Sequence, residues 1–343
     1  MYRQFIKILL PATASVLMFS GCGHDYSYVK DFPEKGNLTY ETVPYNAAEI
    51  YPLALFHIPK GLWVCQLTDS EHCFSLLDES LNEIVRFGRS GRGPEEFTDP
   101  NFAGSTGTSD DSLFLLIRDW TKGRLYRTAV NIHDGNTHSS IIRQYPGGMR
   151  AIYPLGNGKF LCNNNANRYF LDDNGTTSYL EGWGEGINEA LENSEIYIPD
   201  NQTSEFFSRD SSRLLVYSIS YPVLYLHSTN DGTLLRKTYV GMRPDEFSEE
   251  GYCPVYFCGG GYVGDHIAVL LCDDSKETSK ILIFDKNLEP VISYGIPYVN
   301  TLEIDPDTGR AISLDYDNES IRIFDLSRWL CADNTAASSP CSN

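Results

Sequence analysis

After the first twenty residues, no run in the chain is apolar for long enough to cross a bilayer as a helix, and no long amphipathic helical period appears. A doubly wound parallel sheet needs crossover helices, so that class is excluded. Close Cys/His pairs such as C-x₂-C are also missing, which excludes the common structural zinc modules. There is no H-E-x-x-H, no G-x-S-x-G and no phosphate loop, and the seven histidines are scattered singly. Positive charge is scarce: 27 Lys and Arg stand against 46 Asp and Glu, a formal net charge of −19. Such a surface repels nucleic acid phosphates and is not drawn to anionic lipid headgroups, so neither is expected as a partner.

What remains is ample. The 343 residues are 41% hydrophobic and 13% aromatic, with 22 Tyr and 17 Phe, residues that suit pleated, half-buried surfaces. Charged residues make up 21%, an ordinary globular share. The first 21 residues, "MYRQFIKILLPATASVLMFSG", have a short basic region with Arg3 and Lys7 and then an apolar run that ends in small residues before Cys22. That is the pattern of a secretion signal. The polar, Pro- and Gly-bearing stretch 22–35 reads as a tether and 333–343 as a flexible tail, with the folded domain expected over 36–332.

Internal repetition sets the architecture. Strand, polar turn, strand and an aromatic-Gly ending recur at 74–88, 125–147, 169–184, 224–241 and 281–295, with an incomplete copy at 321–330. The turns fall near 79, 134, 174, 231, 286 and 326, a step of about 49 residues, within the range of four-stranded propeller blades. Two further strands precede each hairpin, for example 112–119, 213–220, 266–272 and 310–317. The expected fold is all-β, a six-bladed β-propeller with four-stranded antiparallel blades. Residues 36–44 alternate but have no local partner, so they are expected to supply the outer strand of the last blade and close the ring. Cys65, Cys162 and Cys272 each end an apolar run before polar residues, as one buried small-residue position used three times would. Spacing leaves open whether Cys65–Cys73, Cys253–Cys258 or Cys331–Cys341 bridge.

Residues 87–127 resemble an NHL-type propeller repeat, through Phe87-Gly88, Gly93-Pro94, Phe97, Pro100, Asp119 and Arg124. The Gly-Ile run usual after the proline is absent. Phe19-Ser20-Gly21-Cys22 resembles a bacterial lipoprotein signal in which Cys22 is lipidated, with Phe19 in place of the usual Leu. Together these look like the TolB-like or NHL-like six-bladed propeller lipoproteins of Gram-negative bacteria. The resemblance implies a cell-envelope location, lipid-anchored at the outer membrane, and little about activity.

The corner "FGRSGRGPEEF" (87–97) recurs in reduced form as "YVGMRPDEF" (239–247), 150 residues on when Pro94 is matched with Pro244. Gly93, Pro94, Phe97, Pro244 and Phe247 are read as structural residues of an inter-blade link used twice, with the two phenylalanines plugging between blades. The longest connection, 181–207, has a candidate short helix around 187–193. The three links are expected on one face, carrying Arg89, Arg92, Glu95, Glu96, Trp183, Tyr197, Arg243 and Glu246. Mixed charge with aromatics suits a protein or glycan partner, while the plainer alternative is that Arg and Glu pair to hold the links down. "DPDTG" (305–309) lacks the later ligands of a calcium loop and reads as a turn; "NNNAN" (163–167) reads as hairpin chemistry. No cofactor, metal site or catalytic residue is identified. The expected function is a non-catalytic binding module; the alternative is a metal-dependent hydrolase or lactonase-like enzyme at the channel mouth.

Overall fold

The computed structural model describes residues 26–330 except 46–51, 69–70, 94, 146–148, 165–168, 180–202, 209, 231 and 247–252. Three short strands come first: β1 (Ser27–Val29), β2 (Glu34–Asn37) and β3 (Tyr40–Pro44). Blade 1 is β4 (Pro52–Ile58), β5 (Leu62–Leu67), β6 (His72–Leu77) and β7 (Glu83–Arg89). Blade 2 is β8 (Pro100–Thr108), β9 (Ser112–Asp119), β10 (Arg124–Asn131) and β11 (Thr137–Gln144). Blade 3 is β12 (Met149–Gly156), β13 (Lys159–Asn164), β14 (Tyr169–Asp173) and β15 (Thr176–Tyr179). Blade 4 is β16 (Thr203–Phe207), β17 (Arg213–Ser218), β18 (Val223–Ser228) and β19 (Leu234–Val240). Blade 5 is β20 (Val255–Val263), β21 (His266–Asp273), β22 (Thr278–Phe284) and β23 (Pro290–Pro297). Blade 6 has β24 (Glu303–Ile304), β25 (Arg310–Asp315) and β26 (Ser320–Asp325), and β3 completes it.

The fold is therefore the expected six-bladed propeller. Its hairpin turns lie near 79, 134, 174, 231 and 286, where Asp, Asn and Gly cluster in the sequence. The buried apolar residues divide into one cluster at each junction between neighbouring blades. This is what a sheet with two apolar faces requires: each blade is a filling between two others. Cys65, Cys162 and Cys272 lie on the second strands of blades 1, 3 and 5 and are buried, as the repeat implies. Cys65, Cys73, Cys253 and Cys258 are free thiols, and Cys331 and Cys341 lie outside the described residues.

Ring closure needs one correction. Tyr40–Pro44 pairs antiparallel with β26, Tyr40 opposite Phe324 and Pro44 opposite Ser320, so the expected strand does close blade 6. Residues 36–37 belong instead to β2, which runs parallel to β23 as a fifth strand on blade 5. One blade earlier, β1 adds a fifth strand parallel to β19 on blade 4. The part of the 22–35 stretch that the structure describes is thus a strap around the rims of blades 4, 5 and 6, not a free tether. Its hold is apolar: Val29 and Phe32 are buried in the junction between blades 4 and 5, and the Phe32 ring meets Phe284 edge-on at 5.1 Å. The expected turn near 326 is also different. The chain leaves β26 through a short 3-10 turn, Ser327–Trp329, because the next strand position is already filled by β3.

Candidate functional site

Each complete blade has an even number of alternating strands, so every link from an outer strand to the next inner strand emerges on the same end of the ring. The corner at 87–97 joins blades 1 and 2 and the one at 239–247 joins blades 4 and 5, on opposite sides of the ring. In the first, the Gly93 N–H donates to Glu96 Oε2 at 2.7 Å. In the second, the Arg243 N–H donates to Glu246 Oε2 at 2.7 Å, within a 3-10 turn over Pro244–Glu246. In both, the glutamate two places after the proline caps the N–H one place before it. Gly91 and Gly93 make room for this at the first corner: a Cβ on Gly91 would lie 2.1 Å from Glu96 Oε2.

The first corner is held further from blade 2. Buried Asp119 accepts the Thr98 N–H at 2.8 Å and the Lys122 N–H at 3.1 Å, and Lys122 Nζ donates to the carbonyl oxygen of Glu96. Phe97 is buried at the blade 1–2 junction, edge-on to Phe74 and Tyr126. Pro94 and Phe247 fall outside the described residues, as do Trp183, Tyr197 and the candidate helix around 187–193.

The remaining link residues sort by charge. Glu96 and Glu246 are taken up by backbone N–H groups rather than by arginines. Glu95 is exposed, 3.7 Å from His138. Arg89, Arg92 and Arg243 are exposed, and the Arg243 guanidinium lies 4.6 Å over the ring of Tyr28 on the strap. The link face therefore presents arginines on a chain that is acidic as a whole.

Reading from sequence missed the wall of the central channel. Glu205, on inner strand β16, accepts hydrogen bonds from Tyr153 Oη at 2.5 Å, Tyr169 Oη at 2.6 Å and Asn163 Nδ2 at 3.0 Å. This carboxylate ties blade 4 to three strands of blade 3, and burial with the neighbouring Glu205 charge pushes the Tyr153 phenol well above its usual range. Asn163, the only residue of 163–167 with a described side chain, thus has a role beyond its hairpin. Glu303, on β24, faces a cavity of about 230 Å³ lined also by Phe56, Tyr217, Cys258, Thr301 and Leu302. Burial pushes the Glu303 carboxyl up to about 8, against a hydrogen bond from the His57 backbone N–H. His57 Nε2 lies 3.3 Å from Asp305 Oδ1, and burial lowers the imidazole's affinity for a proton. Asp305 itself closes the 305–309 turn, accepting from the Asp307 N–H at 2.8 Å and Thr308 Oγ1 at 2.6 Å, so "DPDTG" is the turn expected. His266 bonds the Trp329 carbonyl at 3.3 Å. Among the described residues no three His, Cys, Asp or Glu side chains gather as a metal-ligand set.

No family model matches the chain, and no curated protein does. Solved structures do. A member of the DUF4221 family from Bacteroides vulgatus superposes with a TM-score of 0.58 at 11% identity, over 86% of this chain and 98% of that one. A Bacteroides fragilis protein described as a "putative exported protein" gives a TM-score of 0.54 at 12% identity, over 88% of this chain and 98% of that one. At these identities the likeness is one of fold.

Proposed function

We propose that this protein is a non-catalytic binding module of the cell envelope, lipid-anchored at the outer membrane through Cys22, that engages a protein or glycan partner with its link face. One observation carries the reading: both corner glutamates cap backbone N–H groups, which leaves Arg89, Arg92 and Arg243 displayed on that face. Arginine's planar fork suits the carboxylates of an acidic protein or glycan. The resemblance of 87–127 to an NHL-type repeat and of residues 19–22 to a lipoprotein signal supports the TolB-like or NHL-like assignment and the envelope location, and the exported B. fragilis neighbour agrees with it.

The test is affinity capture from envelope extract with the Arg89→Glu/Arg92→Glu double variant beside wild type. A partner held by wild type and lost by the variant supports the reading; the same partners at the same yield refute the face. Fractionation of Cys22→Ser tests the anchor separately. Release from the membrane fraction is expected, and retention there refutes lipid anchoring at Cys22.

A further inference from the structure

The channel cavity is walled by residues of an unusual combination. One carboxyl, Glu303, faces it beside two aromatic rings, Phe56 and Tyr217, and aliphatic side chains including Leu302 and Leu314. None of its described lining residues is basic. At about 230 Å³ it lies below the roughly 300–1,000 Å³ of sites for drug-sized ligands, so a guest must be small. An anion would find one donor, the protonated carboxyl, and no positive charge among the described lining residues to offset its desolvation. A sugar would leave most of its hydroxyls against apolar walls, desolvated and without hydrogen-bond partners. A small cation with an apolar body fits both parts of the wall. Its head pairs with the carboxyl, aromatic faces attract the positive charge, and its alkyl chain covers the aliphatic side. The net charge of −19 raises the local concentration of cations.

We propose that this cavity binds a small primary alkylammonium ion, its head on the Glu303 carboxyl and its body against Phe56, Leu302 and Leu314. The site is independent of the link face. The Phe56 ring is fixed for this by Phe102 of blade 2, 5.0 Å away between centroids. The other titratable groups around Glu303 do not compete for the role. Burial holds the Tyr217 hydroxyl protonated, and the Cys258 thiol is held protonated by its hydrogen bond with Cys272 and by burial. His57 is kept neutral by burial and turned toward Asp305, and Glu205 is occupied by Tyr153, Tyr169 and Asn163.

Binding must be linked to a proton. The free carboxyl holds its proton up to about pH 8, whereas an ammonium head needs the carboxylate. An alkylammonium ion stays charged throughout, as lysine does to about pH 10. Affinity should therefore rise about tenfold per pH unit from 6 to 8 and level off above. Isothermal titration of the full chain with n-butylammonium chloride at pH 6, 7, 8 and 9 reads this directly. Expected are that pH profile, its disappearance together with at least a tenfold loss at pH 8 in Glu303→Gln, and a loss of about threefold with the profile intact in Phe56→Leu. Glu303→Gln resembles the protonated side chain in shape, and its melting temperature at pH 6 checks the fold. No binding by a folded wild type, equal binding of n-butanol, or a flat profile that survives in Glu303→Gln would each overturn the proposal.

Discussion

Replacing Phe32 with Ala separates a strap that belongs to the fold from a tether that merely precedes it. The Phe32 side chain is 9% exposed, sits with Val29 and Leu288 in the junction between blades 4 and 5, and meets Phe284 edge-on. Truncating a buried Phe to Ala costs about 3–5 kcal/mol, the lower end where the surroundings can collapse into the gap, as they can at a rim. About 3 kcal/mol lost, at roughly 2 °C per kcal/mol for a chain this long, lowers the melting temperature by about 6 °C. A second readout is local. Lys30 and Lys35 are exposed in side chain but sit in or beside paired backbone, and a loosened strap should expose both bonds to trypsin. Glu41→Ala, at an exposed position on β3 away from both bonds, serves as control. Differential scanning calorimetry and timed trypsin digestion of wild type and both variants decide it. If Phe32→Ala melts within a degree of wild type and Lys30 and Lys35 are cut equally fast in both, the strap is not part of the fold and the reasoning fails.

Two further predictions follow from the polar interior. Glu205→Ala leaves two phenols and an amide at the blade 3–4 junction without their acceptor and should lower stability by about 3 kcal/mol or more in urea unfolding, with Glu205→Gln recovering part of the loss. Stability should fall as pH drops below about 6.5, where the unfolded chain takes up protons that buried His57 and His227 resist. Between about pH 4.3 and 8, by contrast, the unfolded chain has released the proton that folded Glu303 still holds, so Glu303→Gln should remove a decline of stability with rising pH across that whole window, read as melting temperature against pH for both proteins.

The blades were legible because their information is local. Strand, turn and strand recur within a few dozen residues, and the turns carry Asp, Asn and Gly at the positions that need them, as at Asp285, whose carboxylate accepts the Asn287 and Glu289 N–H groups. The corner motif was legible for the same reason, since Gly93 and Glu96 are three residues apart and bond to each other. The channel was not, because its determinants are spread round the ring. Glu205 meets Tyr153 and Tyr169 only once blades 3 and 4 lie side by side. Glu303 sits in a strand of two residues and meets His57 across the seam where the last blade joins the first. In sequence, a Glu between apolar residues on a short strand looks like any solvent-facing position in a period-two pattern. Only its placement on an inner strand turns it inward.

The strap was misread for a related reason, and the error explains its composition. An outermost strand offers a row of unpaired backbone groups, and proteins blunt such edges with short strands and charge. The strands β2 and β3 do both. They are four and five residues long and mostly exposed, and they carry Glu34, Lys35 and Glu41. By composition alone, a polar edge strand and a polar tether are the same object. What distinguishes them here is Phe32, a single large apolar residue among charges, which a tether has no use for and a strap requires at the point where it crosses from one blade to the next. The strap's pairings also join distant parts of the chain, since β1, β2 and β3 meet β19, β23 and β26 of the last three blades, and contacts of such long range carry a large loop-closure cost that the buried Phe32 helps to offset.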